Sequence, residues 1–309
     1  MIEIFLKTLP FFGLIGLGYG AGRSGFFPPE ATAYLTKFVF YFALSAMLFG
    51  FAANLSLAEV FDLRAAGAYL WAGAMLYITV MGVAFLRRAA MTEALIEAHT
   101  SVNGNTGFLG VPMLVVLLGA SSVPTVLLVL TIDMIIFSTL FVMLVTLARD
   151  GRVDATLPRK LFVAVLKNPM VMAMALGLTW SGTGWQVPVI ANEFLTLLGA
   201  AATPCALFAI GASLADKKVE RLKVVSWLTF GKLVLHPTLV AFSALVLFRV
   251  DPQVAGVLVA AAALPVAGNV FILAQHYNTG PARVSAAILV STLVSIATVP
   301  VVIAWVTGF

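Results

Sequence analysis

Residues 91–112 read Met-Thr-Glu-Ala-Leu-Ile-Glu-Ala-His-Thr-Ser-Val-Asn-Gly-Asn-Thr-Gly-Phe-Leu-Gly-Val-Pro, and their reading decides the fold. Gly104, Gly107, Gly110 and Pro112 crowd one short stretch of an otherwise apolar segment. In a helix interior glycine costs about 1 kcal/mol and proline about 3 relative to alanine. Pro112 also lacks a backbone donor and clashes with the preceding turn. The pattern predicts a helix that unwinds near 103–107 and restarts. Residues 264–269, Leu-Pro-Val-Ala-Gly-Asn, predict a second break of the same kind.

Such breaks leave N–H groups unpaired where one half-helix starts and carbonyls unpaired where the other ends. In hydrocarbon those groups are costly, so irregular backbone persists only where it is buried in protein or lines a cavity. A half-helix N-terminus suits an anion. Asn103, Gly104, Asn105 and Thr106 at the first break, with Gly268 and Asn269 at the second, are the candidate binding residues. Gly107, Pro112 and Pro265 are the candidate hinges. The plainer reading of either break alone is a packed kink, since Pro and Gly are common in membrane helices.

Composition fixes the solvent. The chain is 61% hydrophobic and 10% charged, with a mean hydropathy of +1.07. Soluble domains carry about 25% charged residues, so this surface faces lipid. The first apolar run lacks a basic n-region and a small-residue cleavage site, so it reads as a retained span rather than a signal peptide. Cys205 is the only cysteine, which rules out an internal disulfide framework.

A span needs about 20 apolar residues. Ten segments qualify: 4–22, 31–53, 65–86, 91–119, 123–148, 161–181, 190–214, 224–248, 252–277 and 281–307. Helices are expected throughout, because strand-period alternation is absent. Loops after odd-numbered spans hold most of the basic residues (Arg23, Arg87, Arg88, Arg149, Arg152, Arg159, Lys160, Lys217, Lys218, Arg221, Lys223, Arg283). Loops after even-numbered spans hold only Arg64 and Arg249. Odd loops are therefore read as cytoplasmic and both termini as extracytoplasmic. The pI near 9.5 is this topological bias, not a nucleic-acid footprint.

The linker 149–160 divides one membrane domain, 1–309, into repeat one (1–148) and repeat two (161–309). Five spans per half means that the second half enters the membrane in the opposite sense, as in an inverted repeat. Two echoes support it: Ala46–Gly50 with Ala206–Gly211, and Gly104-Asn105 with Gly268-Asn269.

Asp133 lies ten residues into span 5, about 15 Å deep at 1.5 Å per residue, near the bilayer midplane. A carboxyl there is a functional candidate by default. It could carry a proton, or a Na⁺ if oxygens converge on it. The plainer reading is a neutral, hydrogen-bonded aspartic acid. Lys37, Lys167 and Lys232 are read as snorkelling, and His236 as a packing residue. Glu93, Glu97 and His99, and likewise Gln275 and His276, line an inward vestibule or lie near headgroups. No metal-ligand cluster, P-loop or nucleophile–base motif is evident, so no cofactor, resident metal or enzymatic activity is expected.

The strings Asn105-Thr-Gly-Phe-Leu-Gly-Val-Pro112, Leu264-Pro265 through Asn269-Val-Phe-Ile-Leu-Ala-Gln-His-Tyr277, and Ala202-Thr-Pro-Cys-Ala-Leu-Phe-Ala-Ile-Gly-Ala-Ser-Leu214 resemble the auxin efflux carrier family, bacterial branch. Lys167-Asn168-Pro169 and Lys232-Leu-Val-Leu-His236-Pro237 also fit, and the likeness covers essentially the whole chain. The resemblance implies an all-α, ten-helix inverted repeat, similar to sodium/proton antiporters and bile-acid symporters. Spans 1, 2, 6 and 7 would be the scaffold, and spans 3–5 and 8–10 an elevator-type moving unit. It also implies a small organic anion as substrate (auxin, or a dicarboxylate such as malate or malonate), bound at Asn105, in a multi-pass inner-membrane protein that could pair as a homodimer through its scaffold.

Three positions depart from plant members. Gly104 and Ser45 stand where those carry proline, and Asp133 where they carry glutamine, which points to H⁺ or Na⁺ coupling and away from auxin. The competing readings are a cation/proton exchanger on the same fold and a membrane ligand sensor. An exchanger would be expected to keep more than one deep acid.

Overall fold

The computed structural model of the chain describes residues 2–55, 62–150, 157–215, 217 and 221–308. Among these residues regular structure is helical, apart from one isolated bridge. The helices are α1 (Ile2–Arg23), α2 (Pro29–Ala52), α3 (Leu63–Leu86), α4 (Met91–Val102), α5 (Thr106–Leu118), α6 (Ala120–Arg149), α7 (Leu157–Leu166) and α8 (Pro169–Gly182). Then come α9 (Val189–Leu214), α10 (Leu222–Leu247), α11 (Pro252–Ala262), α12 (Gly268–His276) and α13 (Pro281–Val306). Six of them, α2, α3, α6, α9, α10 and α13, are long and apolar enough to cross a membrane.

Both expected breaks are present. α4 stops at Val102, and the chain runs extended through Asn103 before α5 begins at Thr106. α11 stops at Ala262, and α12 starts at Gly268. A third interruption was not anticipated: span 6 is two helices, α7 and α8. Asn168 caps α8, its side chain accepting from the N–H groups of Met170 (3.0 Å) and Val171 (3.3 Å), with Pro169 in the first turn. An Asn-Pro pair is a helix start in lipid as in water.

Helices α1, α2, α8 and α9 pack on one another; α3–α6 and α10–α13 pack on one another. The first group is joined by close approach of backbones. A Cβ on Gly211 would lie 1.9 Å from the Ile15 carbonyl oxygen, and one on Gly18 would lie 2.1 Å from that of Phe208. Only glycine allows α1 and α9 to cross so closely.

Among the described residues five turns are wound as π-helix: Val39–Ala43, Thr106–Gly110, Ile132–Phe137, Gly231–Leu235 and Ser243–Leu247. Two of them stand just before a proline, Pro112 and Pro237, where the missing N–H loosens the hydrogen-bond ladder. Pro112 thus marks the start of the α-helical part of α5 rather than a break.

Of the basic residues read as loop charges, Arg283 is not in a loop. It lies in the first turn of α13 and is 5% exposed. Arg152 and Lys218, and residues 151–156 of the linker, fall outside the described residues.

Candidate functional site

The two breaks cross each other. Gly104 and Val266 form an antiparallel bridge. The Asn105 N–H donates to the Pro265 carbonyl (2.8 Å), and the Ala267 N–H donates to the Asn103 carbonyl (3.1 Å). The exchange is reciprocal, so each break satisfies backbone groups that the other leaves open. The Val266 N–H is taken by the Ser291 hydroxyl of α13 (3.1 Å). The Gly104 N–H donates to the Asp133 carboxylate of α6.

This register corrects the echo read from Gly104-Asn105 and Gly268-Asn269. Asn105 directly follows its bridge residue, whereas Asn269 sits three residues past Val266, inside the first turn of α12. The two asparagines therefore hold different positions on the crossing.

Asp133 is 1% exposed. Its carboxylate accepts from the Tyr69 hydroxyl of α3 (3.1 Å) and the Thr106 hydroxyl (3.4 Å). Its backbone carbonyl accepts from Ser138 Oγ (3.0 Å) and Asn103 Nδ2 (3.4 Å). Asn103 and Thr106 thus serve the acid, while Asn105, 8% exposed, turns to the cavity.

That cavity, about 50 Å³, is lined by Asn103, Gly104, Asn105, Gly107, Asp133, Gly268 and Asn269, with Phe40 of α2 and Met170 of α8 closing the far side. A space of that size holds one to a few waters or a partly dehydrated ion. Gly268 and Asn269 belong to a helix's first turn, where N–H groups have no intrahelical acceptor. The Asn269 Oδ1 is buried and unpartnered among the described residues. A larger cavity of about 390 Å³ opens among Phe49, Trp180, Pro188 and Phe194. It lacks charge, and beyond the buried ring N–H of Trp180 it has nothing to hold an anion.

Lys232 overturns its snorkelling assignment. It is fully buried, and its ammonium donates to the Ala262 carbonyl, the last residue of α11, and meets His236 Nδ1 at 3.0 Å. It also acts on Asp133 through charge. A Cβ on Gly104 would stand 3.2 Å from Lys232 Nζ, so the glycine both admits the lysine and keeps an N–H for the acid. α10 begins at Leu222, which puts Lys232 about 15 Å along it, the depth inferred for Asp133. That arithmetic was the available signal. Lys37 and Lys167 are exposed, consistent with long stems reaching out of the apolar layer. His236 is buried against Lys232 and the Tyr69 ring (centroids 5.4 Å), a member of the cluster rather than a lone packing residue.

Glu97 and His99 line no vestibule: both are fully buried. Glu97 is paired with Arg87 and Arg283, and Arg283 also reaches Glu93 at 3.3 Å. His99 stacks on Phe141 with centroids 5.0 Å apart. Glu97 is thus a second deep acid, but one committed to arginines. Asp133 is the carboxylate that lines the cavity. No group of His, Cys, Asp and Glu that could hold a metal ion occurs among the described residues.

Paired helix breaks that close each other's backbone around a buried acid, in an apolar helical bundle, belong to a membrane transporter. The chain matches the family described as "Membrane transport protein" over residues 3–303 and belongs to it, the family of the auxin efflux carriers. It is 31% identical over 305 residues to the "Putative malonate transporter" of Rhizobium meliloti, covering 97% of this chain and 94% of that protein. It is 26% identical over 309 residues to "Uncharacterized transporter YfdV" of Escherichia coli, covering 97% of each.

Proposed function

We propose that the protein is a secondary transporter of a small dicarboxylate, coupled to H⁺ or Na⁺ through Asp133. The carrying observation is the crossing: two half-helix starts and three asparagines border one cavity, with Asp133 on its wall and Lys232 behind Gly104. Helix starts and amide N–H groups favour a carboxylate. The Rhizobium relative's name makes malonate the first substrate to try.

Asn105, Gly268 and Asn269 hold one carboxylate of the anion, the cavity widening at its mouth to admit the rest; Asp133 takes the coupling cation, with Thr106 and Tyr69 as neighbouring oxygens. The cavity wall is shared by both packing groups, with Phe40 and Met170 from one and the crossing from the other. This supports an elevator motion of α3–α6 with α10–α13 against α1, α2, α8 and α9, and the inverted-repeat reading rests on the reciprocal bonds of the crossing. The basic loops support a topology with both termini outside the cytoplasm.

Proteoliposomes loaded for a pH or Na⁺ gradient test this with radiolabelled malonate. Accumulation is expected in the wild type, with loss of uptake in Asn105→Ala. Undiminished uptake in that variant would sink the site assignment.

A further inference from the structure

The cavity opens at Gly268, which lines it and is also exposed. From Gly268 an exposed stripe continues along α12 through Ile272 and Gln275, at the i, i+4, i+7 spacing of one helix face. Beside this stripe stands a cation from elsewhere in the chain. Lys217 follows α9, yet its ammonium reaches across to Ser285 Oγ of α13 (3.1 Å) and lies 4.5 Å from the centre of the Phe271 ring of α12. Lys217 is half-buried, and among the described residues no carboxylate pairs with it. Burial accordingly lowers its pKa. A hydroxyl and a ring face compensate a half-desolvated ammonium only in part. Arg283, by contrast, two residues before Ser285, has both Glu93 and Glu97.

We infer that Lys217 is a reception site for the anionic substrate, the first cation a carboxylate meets on the basic-loop side before it moves along α12 to the cavity. This rests on the reading of the protein as a carboxylate transporter. A free carboxylate would take the ammonium's remaining hydrogens and leave the Ser285 contact intact. A charge placed there raises local anion concentration and speeds entry, an effect that salt screens. A mechanical latch between packing groups would instead alter turnover.

The test measures malonate uptake kinetics in proteoliposomes with substrate offered on either side, comparing wild type, Lys217→Gln and Lys217→Arg. The expected result for Lys217→Gln is a rise of about fivefold in KM from the basic-loop side alone, the worth of one partly screened charge contact. Vmax should stay near wild type, the difference should shrink at high salt, and Lys217→Arg should restore KM. An unchanged KM in Lys217→Gln beside an active wild type would overturn this inference and leave the transporter reading standing, as would a changed Vmax alone. Wild-type liposomes that take up no carboxylate would overturn both.

Discussion

At the scale of the residue, the site is built from groups that are costly in lipid and that compensate one another. Asp133 is buried with Tyr69, Thr106 and the Gly104 N–H, and Lys232 is buried with Ala262 and His236. Asp133→Asn keeps the size of the side chain and removes the charge, at the cost of turning one accepting oxygen into a donor. It is expected to abolish gradient-driven accumulation while leaving downhill exchange within about fivefold, since one neutral hydrogen bond is worth roughly 1 kcal/mol. Accumulation equal to wild type would refute the coupling role. Gly104→Pro deletes the N–H given to Asp133 and pushes ring atoms toward Lys232 Nζ. Removing a hydrogen bond to a charged group costs about 2 kcal/mol, so uptake efficiency should fall about thirtyfold. Gly104→Ala, which keeps the N–H, should fall less.

Asp133 was legible because an acid ten residues into an apolar segment has no plain explanation. Lys232 was not, because the same arithmetic applied to a lysine competes with snorkelling, and only the true start of α10 at Leu222 decides it. The positions of Asn105 and Asn269 were legible as breaks, but their register was not. Which carbonyl a break's N–H meets depends on the other break, and that is a tertiary fact.

At the scale of the element, helix ends are where the bundle is tied. Glu97 on α4 is held by Arg87 at the end of α3 and Arg283 at the start of α13. Arg283→Met leaves a buried carboxylate with one partner in place of two and should destabilise the protein by about 3 kcal/mol. Adding Glu97→Met should recover most of that loss, as read from thermal unfolding in detergent. A double variant no better than the single would show that charge burial is not the cause. Gly211→Leu would drive a side chain into the backbone of α1. Overpacking costs typically 1–3 kcal/mol, and at a backbone contact the upper end is expected, seen as loss of folded protein on size exclusion. Sequence alone placed the breaks in spans 4 and 9 because Gly, Asn and Pro cluster there. It missed the break before α8, where a single Asn168-Pro169 pair does the same work without glycines.

At the scale of the whole molecule, the two packing groups share the cavity between them. Gly107 lies against Met170 across that seam, a Cβ on the glycine falling 2.9 Å from Met170 Cε. If transport slides one group past the other, a link at this point must stop it. Gly107→Cys with Met170→Cys, in a Cys205→Ser background, should support malonate uptake when reduced and lose at least most of it when bridged by a short thiol cross-linker. Full activity of the bridged form would rule the sliding motion out.

The crossing also has a consequence for how the chain is made. Asn103 and Asn105 bond to Ala267 and Pro265, residues synthesised about 160 positions later. At ribosomal speeds of about 5–20 residues per second, the first half waits roughly 10–30 s with open peptide groups at mid-bilayer. During that interval the nascent half needs water, or an insertion chaperone, at its broken helix. A chain terminated after α6 would never escape that state, and should be recognised and degraded by membrane proteases as an unfinished protein.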